Sequence, residues 1–196
     1  MAAGKNYGDC EINGMFVDIF LGAFKLFPSV VYKKLLNYGI GTMQGKDIVV
    51  DRNAWYPLDK WLAAHEDIAN SVGPRASFQI GQEIPKVLAL PPGVNDPHGA
   101  LGSLNIGYHM SHRKNGRVLF DASTGATLPG IGDYKYTNDG RGKGTMVCDN
   151  PYPCDLDRGL CQGLVQRFDR QARIIHENQG PCRKVGGNSC TFTIAW

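Results

Sequence analysis

The sequence predicts an α+β fold, with helices first and a small antiparallel sheet last. Three observations carry this. Apolar residues recur at three- and four-residue steps through most of residues 1–113. From Asn115-Gly116 onward the pattern changes to alternation broken by glycine turns. One late helical stretch, with Leu160, Leu164 and Phe168 on one side, interrupts that alternation. Runs of helices followed by runs of strands make an α+β arrangement. A chain of 196 residues is long enough for one buried core. It reads as a single domain, mainly helical over 1–113 and sheet-rich over 114–196.

The elements follow in order. Met15, Phe16, Ile19, Phe20 and Phe24 share one helical face, which Phe27-Pro28 ends. Val30, Val31, Leu35 and Leu36 continue on a second helix, stopped by Gly39 and Gly41. DIVVDR (47–52) is a short strand or turn. Pro57 opens a third helix, with Trp61, His65 and Ile68 on its apolar side, and His65 reads as a hydrogen-bonded core histidine. Pro74 begins a further helix through Ile84, and residues 88–99 form a proline-rich loop. GALGSLNIGYHMSHRK (99–114) is helical, with Leu101, Leu104, Tyr108 and His112 on one stripe and His109 flanking it. RVLFDA reads as a strand, and Asn138-Asp139-Gly140 as the turn of a hairpin. NPYPCDLDRGLCQGLVQRF turns into the late helix. ARIIHEN and TFTIAW are strands joined by PCRKVGGNSC.

Composition narrows the function. Net charge is +3, with basic residues scattered rather than striped, which argues against nucleic-acid binding. The longest apolar run, Met15 to Phe24, is too short to span a bilayer. MAAGKNYGDCE has no basic segment followed by an apolar one, so the expectation is a cytoplasmic protein without membrane contact. Asp155 and Asp157 suit helix capping. GRGKG (140–144) has the wrong spacing for a phosphate loop. No Ser–His–Asp set stands out, and a non-catalytic role is expected.

Five of the six cysteines, Cys148, Cys154, Cys161, Cys182 and Cys190, fall in the last 49 residues. Without a secretion signal, disulfides are disfavoured and metal ligation gains weight. Cys154 opens a helix, where backbone N–H groups favour a thiolate. Cys182 and Cys190 close a hairpin, Cys148 ends a strand, and His176 lies on the strand before the hairpin. Three or four sulfurs with an imidazole suit tetrahedral zinc in a closed, structural site. A four-cysteine site also matches iron–sulfur chemistry, placed below zinc.

NPYPCDLDRGLCQGLVQRF followed by ARIIHENQGPCRKVGGNSCTFTIAW resembles the 4-vinyl reductase domain family. The resemblance covers roughly residues 100 to 196. It implies a structural zinc beside a pocket for an aromatic ligand, as in the phenol-responsive transcription activators. Cys154, Cys182 and Cys190 take the three thiolate places. The family's acidic ligand falls near Gln179, which leaves His176, Glu177 or Cys148 for the fourth. The same superfamily holds the haem-nitric-oxide-binding sensors and the TRAPP tethering subunits, and implies a pocket between helices and sheet. Phe20, Phe24, Trp61, Phe78 and Tyr108 are the expected lining. By this resemblance His109 or His112 would ligate haem, although the Tyr-x-Ser-x-Arg signature is replaced by Cys148-Asp149-Asn150-Pro151-Tyr152. The expectation is a sensor or carrier of a small apolar or aromatic ligand, acting through a signalling partner or a homodimer. The alternative is a haem or tetrapyrrole protein.

Overall fold

The backbone turns from strand to helix at Asn13, whose side chain accepts a hydrogen bond from the Met15 N–H at 2.9 Å. Such a cap lets a short strand run directly into a helix. In the computed structural model, which describes residues 7–24, 28–177 and 182–196, the elements are β1 (Cys10–Asn13), α1 (Gly14–Ala23), α2 (Pro28–Asn37), β2 (Thr42–Gln44), β3 (Asp47–Val49) and β4 (Trp55–Pro57). Then come α3 (Leu58–Val72), α4 (Pro74–Val87), α5 (Pro97–Met110), β5 (His112–Lys114), β6 (Arg117–Val118), β7 (Phe120–Asp121) and β8 (Ala126–Thr127). β9 (Tyr134–Asn138), β10 (Lys143–Cys148), α6 (Cys154–Gln166), β11 (Arg173–His176) and β12 (Cys190–Ala195) complete the chain. The α+β class is as the sequence predicts.

The C-terminal sheet runs β11-β12-β10-β9, all antiparallel. Its inward side chains alternate as a half-buried sheet requires, with Cys190, Phe192 and Ile194 of β12 beside Cys148 and Met146 of β10. The sequence reading of one small sheet is incomplete. A second sheet, β4-β1-β5-β6, ties the N-terminus to the chain after α5. Its strands are two to four residues long, too short to show a period of two. α5 accordingly ends at Met110, and His112 is a strand residue rather than a helical one. RVLFDA is split into β6 and β7 because Leu119 between them turns into the core.

On α1 the fully buried side is Val17 and Leu21, and Met15 is exposed. Phe16, Ile19 and Phe20 are only half-buried. The expected stripe is rotated because Phe16 and Phe20 border a cavity rather than solid packing. The Phe27 stop signal lies outside the described residues. Among the described residues no helix is long and apolar enough to cross a membrane.

α4 and α6 make the closest helix contact, and glycine makes it possible. A Cβ on Gly159 would overlap the Phe78 carbonyl, and one on Gly81 would overlap the Leu156 carbonyl. A Cβ on Gly163 would come within 2.9 Å of the Gln82 carbonyl oxygen. Backbone therefore lies on backbone along this crossing, and α6 is fixed in depth and register against α4.

This contact predicts an inversion of ordinary helix propensity. Gly159→Ala is expected to destabilise by about 1–3 kcal/mol through overpacking, although alanine is the better helix former. Gly102→Ala on α5, whose Cβ would have only Tyr136 nearby at 3.9 Å, is expected to stabilise by about 0.5–1 kcal/mol. Chemical unfolding of the two variants checks both signs.

Candidate metal centre and apolar cavity

β11, β12 and the first turn of α6 converge at one end of the C-terminal sheet. A turn of 3₁₀ helix, Arg183–Val185, closes over that end, with Gly186 left-handed at φ 85° to let the chain double back. Cys154, His176, Cys182 and Cys190 meet there, their ligand atoms all within 4.8 Å of one another. Both ring nitrogens of His176 lie 3.7 Å from Cys154 Sγ. Zinc–sulfur bonds of about 2.3 Å in a tetrahedron place ligand atoms just under 4 Å apart. The donor set and its spacing therefore fit a closed structural zinc site.

The other candidates lie elsewhere. Cys148 is fully buried on β10, paired in register with Cys190, but its thiol bonds to Cys161. It is not one of the four gathered groups. Glu177 accepts a hydrogen bond from the Thr193 hydroxyl at 2.6 Å and faces away. Gln179 lies outside the described residues. All six thiols are free.

The sequence points to Cys154 as the low-pKa thiol, at the start of a helix. The geometry reverses this. The Cys154 thiol is pushed up, first by its hydrogen bond to Cys190 and then by burial. Cys190 is pulled down by that same bond from Cys154, against its burial, and by Arg183. Arg183 Nε lies 3.3 Å from Cys190 Sγ. The hydrogen bond between the two thiols, with the guanidinium beside Cys190, favours the thiolate on Cys190 rather than at the helix end.

Arg183 is itself buried, at 5 % exposure, and each of its three guanidinium nitrogens has a partner. Nη1 donates to the Asn150 carbonyl, to Asn150 Oδ1 at 2.8 Å and to the Tyr152 carbonyl at 2.9 Å. Nη2 donates to Asp157 Oδ2 at 2.5 Å. Burial pushes the Asp157 carboxyl up, and Arg183 and Tyr134 oppose it. The Tyr134 hydroxyl donates to the other oxygen, Asp157 Oδ1, at 2.5 Å.

Tyr134 and Tyr152 lead into an apolar cavity of about 80 Å³. α1 contributes Phe16 and Phe20, α5 contributes Leu104 and Tyr108, and α6 contributes Leu156 and Leu160. His112 stands at its polar end. Its Nδ1 is 2.7 Å from the Tyr108 carbonyl, which can only accept, so Nδ1 carries the proton. Nε2 therefore accepts from the Tyr152 hydroxyl at 2.8 Å. The Trp61 indole N–H lies on the other side of the Tyr152 oxygen, which leaves room for at most one further donor. Ser111 is not set up as a nucleophile, because its hydroxyl donates to the Tyr108 carbonyl at 2.7 Å.

Of the four residues the sequence assigns to the pocket, Tyr108 and His112 stand in its wall. His109 turns away and bonds Asp133 Oδ1 through Nε2 at 3.0 Å. Trp61 lies one ring behind the wall, edge-on to Phe20 with centroids 5.4 Å apart. Phe24 is also behind it, against His65. Phe78 sits under the Arg158 guanidinium, outside the cavity. The sequence reading misses Tyr134, Tyr152 and Arg183. The only signal for Arg183 is its place next to Cys182.

No family model and no curated protein matches the chain. Solved structures do. An H-NOX protein studied for haem distortion aligns with TM-score 0.65 over 94 % of this chain and 95 % of its own, at 13 % identity. An H-NOX protein from S. oneidensis aligns with TM-score 0.64 over 94 % and 95 %, at 15 % identity. A point mutant of T. tengcongensis H-NOX aligns with TM-score 0.62 over 94 % and 97 %, at 15 % identity. The chain has the H-NOX fold. Identities this low speak for the H-NOX architecture alone.

The haem studied in one of these structures, and in a further H-NOX match, has to be tested against the residues of this chain. A porphyrin requires a histidine with a free nitrogen facing a cavity of several hundred Å³. Here the apolar cavity that His112 borders holds about 80 Å³, and a larger cleft of about 470 Å³ beside Cys154 and Arg183 has no histidine in its lining. His109 Nδ1 and His65 Nε2 are buried without a partner, but neither ring is in the cavity wall, and both nitrogens of His112, which is, are engaged. In this geometry the residues do not fit haem.

Two buried histidines predict the acid response. Burial lowers the pKa of His65 to about 3 and that of His112 to about 4. In the unfolded chain both protonate near pH 6.5. Between those values the unfolded state binds more protons. Acidification from pH 6.5 toward 4 therefore destabilises by about 1.4 kcal/mol per pH unit per histidine. Tm is expected to fall steadily over that range, and His65→Phe to remove about half the slope. A flat Tm from pH 6.5 to 4.5 would show that both rings are solvated.

Proposed function

We propose that this chain is a small-molecule-sensing domain of the 4-vinyl-reductase type built on the H-NOX fold. Its ligand is apolar or aromatic and about one ring in size, and a structural zinc is held by Cys154, His176, Cys182 and Cys190. The observation that supports the ligand class is the cavity wall, aliphatic and aromatic except at the His112–Tyr152 end. Its volume, about 80 Å³, is about half that of the dry cavities, about 150 Å³, that hold one benzene ring, which limits the ligand to a single ring. The Tyr152 oxygen would accept a hydrogen bond from a ligand hydroxyl and set its orientation. Because a structural metal's binding free energy is folding free energy, zinc would order the corner that β11, β12 and α6 share. Signalling through a partner or a homodimer, in the cytoplasm, completes the proposal.

A second reading, a haem-binding gas sensor, is favoured by the structural neighbours, which include the Fe(II)NO state of the S. oneidensis protein. An absorption scan separates the two. A colourless protein supports the first reading, and a Soret band overturns it.

Elemental analysis is expected to give one zinc per chain. His176→Ala and Cys182→Ser are expected to lose the metal and to lower Tm by several degrees, whereas Cys148→Ser keeps it. Zinc retained in Cys182→Ser with unchanged melting would refute the assigned ligand set. Titration with phenol and with toluene, followed by calorimetry, tests the cavity. Phenol is expected to bind about tenfold more tightly, and Tyr152→Phe to abolish the difference.

A further inference from the structure

We infer that Arg183 couples the metal centre to the cavity, so that metal occupancy and ligand binding reinforce one another. The inference rests on the zinc-and-ligand reading just given and adds how that site is regulated.

Arg183 is the residue after one member of the metal cluster, and its Nε reaches the sulfur of another, Cys190, at 3.3 Å. From the same planar guanidinium, Nη1 holds the Tyr152 carbonyl at 2.9 Å and Nη2 holds Asp157 at 2.5 Å. Asp157 fixes the Tyr134 hydroxyl at 2.5 Å, and the Tyr152 hydroxyl bonds His112 at 2.8 Å. Tyr134, Tyr152 and His112 are all in the cavity wall. Two hydrogen-bond steps thus separate the cluster from the wall, and they are shielded from water: Arg183 and Asp157 have side-chain exposures of 4 % and 0 %.

A guanidinium cannot lose its proton, and its donors are fixed in a plane. It cannot swing from one partner without leaving the others. Placement of the 182–186 turn by the metal therefore places the guanidinium, and the guanidinium places both tyrosines. Without the metal, that turn and the fork it carries lose their anchor, and the wall loses its preset shape. By linkage, the factor by which zinc raises ligand affinity equals the factor by which ligand raises zinc affinity. Arg183 is a positioning residue in this scheme and touches no ligand.

The test uses the full chain and a chromophoric chelator that competes for zinc, with phenol as the probe. Tyr134→Phe removes a single oxygen at the cavity end and leaves the cluster intact. Arg183→Lys keeps the charge and loses the fork. In the wild type, phenol is expected to raise zinc affinity about fivefold or more, and zinc removal to change the near-ultraviolet circular dichroism of the wall tyrosines. Tyr134→Phe is expected to weaken zinc binding severalfold without phenol and to shrink the linkage. If Arg183→Lys does not fold, Tyr134→Phe decides alone. Zinc affinity unchanged in every folded variant, with an unchanged tyrosine signal on zinc removal, overturns the coupling. Failure of all forms to bind phenol would refute the ligand reading, and the link from cluster to wall is then decided by zinc affinity in Tyr134→Phe and by the tyrosine signal on zinc removal. A wild type that takes up no zinc overturns both.

Discussion

The buried pair of Arg183 and Asp157 is the constraint around which the C-terminal half is arranged. Two opposite charges removed from water cost several kcal/mol each in desolvation, recovered only when every remaining donor and lone pair is engaged. Here each nitrogen and each carboxylate oxygen has a partner. Asn150, Tyr152 and Cys190 accept from Nη1 and Nε of the guanidinium, and Tyr134 donates to the second carboxylate oxygen. These partners come from β9, the loop after β10, α6 and β12. The pair thus ties together four separate pieces of chain, three through the guanidinium and β9 through the carboxylate. Removing one partner would strand a charge in the core, which is far costlier than losing one contact.

The same economy of space explains the cavity. Where the fold leaves room between helices and sheet, this chain fills most of it with rings: Tyr108 and Tyr134 edge to face at 5.2 Å, and Tyr108 and Tyr152 at 6.1 Å. Each hydroxyl of the three is tethered, on Ile131, Asp157 or His112. A tyrosine held in this way cannot rotate out of the way, so the residual volume has a defined outline and one defined polar atom. Shape and hydrogen bonding are set before any ligand arrives, which lowers the cost of binding.

Much of this was readable in the residues, and the failures have physical causes. The class, the order of helices then sheet, the hairpin at Asn138-Asp139-Gly140 and three clustered thiols were legible because long periodic segments and turn chemistry are local properties. His176 was one of several open choices for the fourth position. The β11–β12 register, which turns it toward Cys154, separates it from Glu177, and the bond to Cys161 sets Cys148 apart. The second sheet was invisible because strands such as Arg117–Val118 are too short to carry a period. His109 and His112, read as two alternatives for one role, diverge completely. α5 ends between them, sending one ring to Asp133 and the other to Tyr152. Arg183 could not be found because a lone arginine in a basic turn looks like surface until its partners, far away in sequence, are placed.

The glycine-to-glycine crossing of α4 and α6 bears on how the cavity can change over evolutionary time. One wall, carrying Ile84, Leu156 and Leu160, is anchored by main chain lying on main chain, so substitutions of those lining side chains leave the helix spacing in place as long as the glycines of the crossing are kept. The opposite wall rests on Phe16 and Phe20 of α1, which are half-buried and border the cavity through side chains alone. Relatives of this chain that accept larger or smaller molecules should therefore differ on α1 and at Leu104 while keeping α6 in place, so that the cavity acts as a mould with one cast face and one adjustable face.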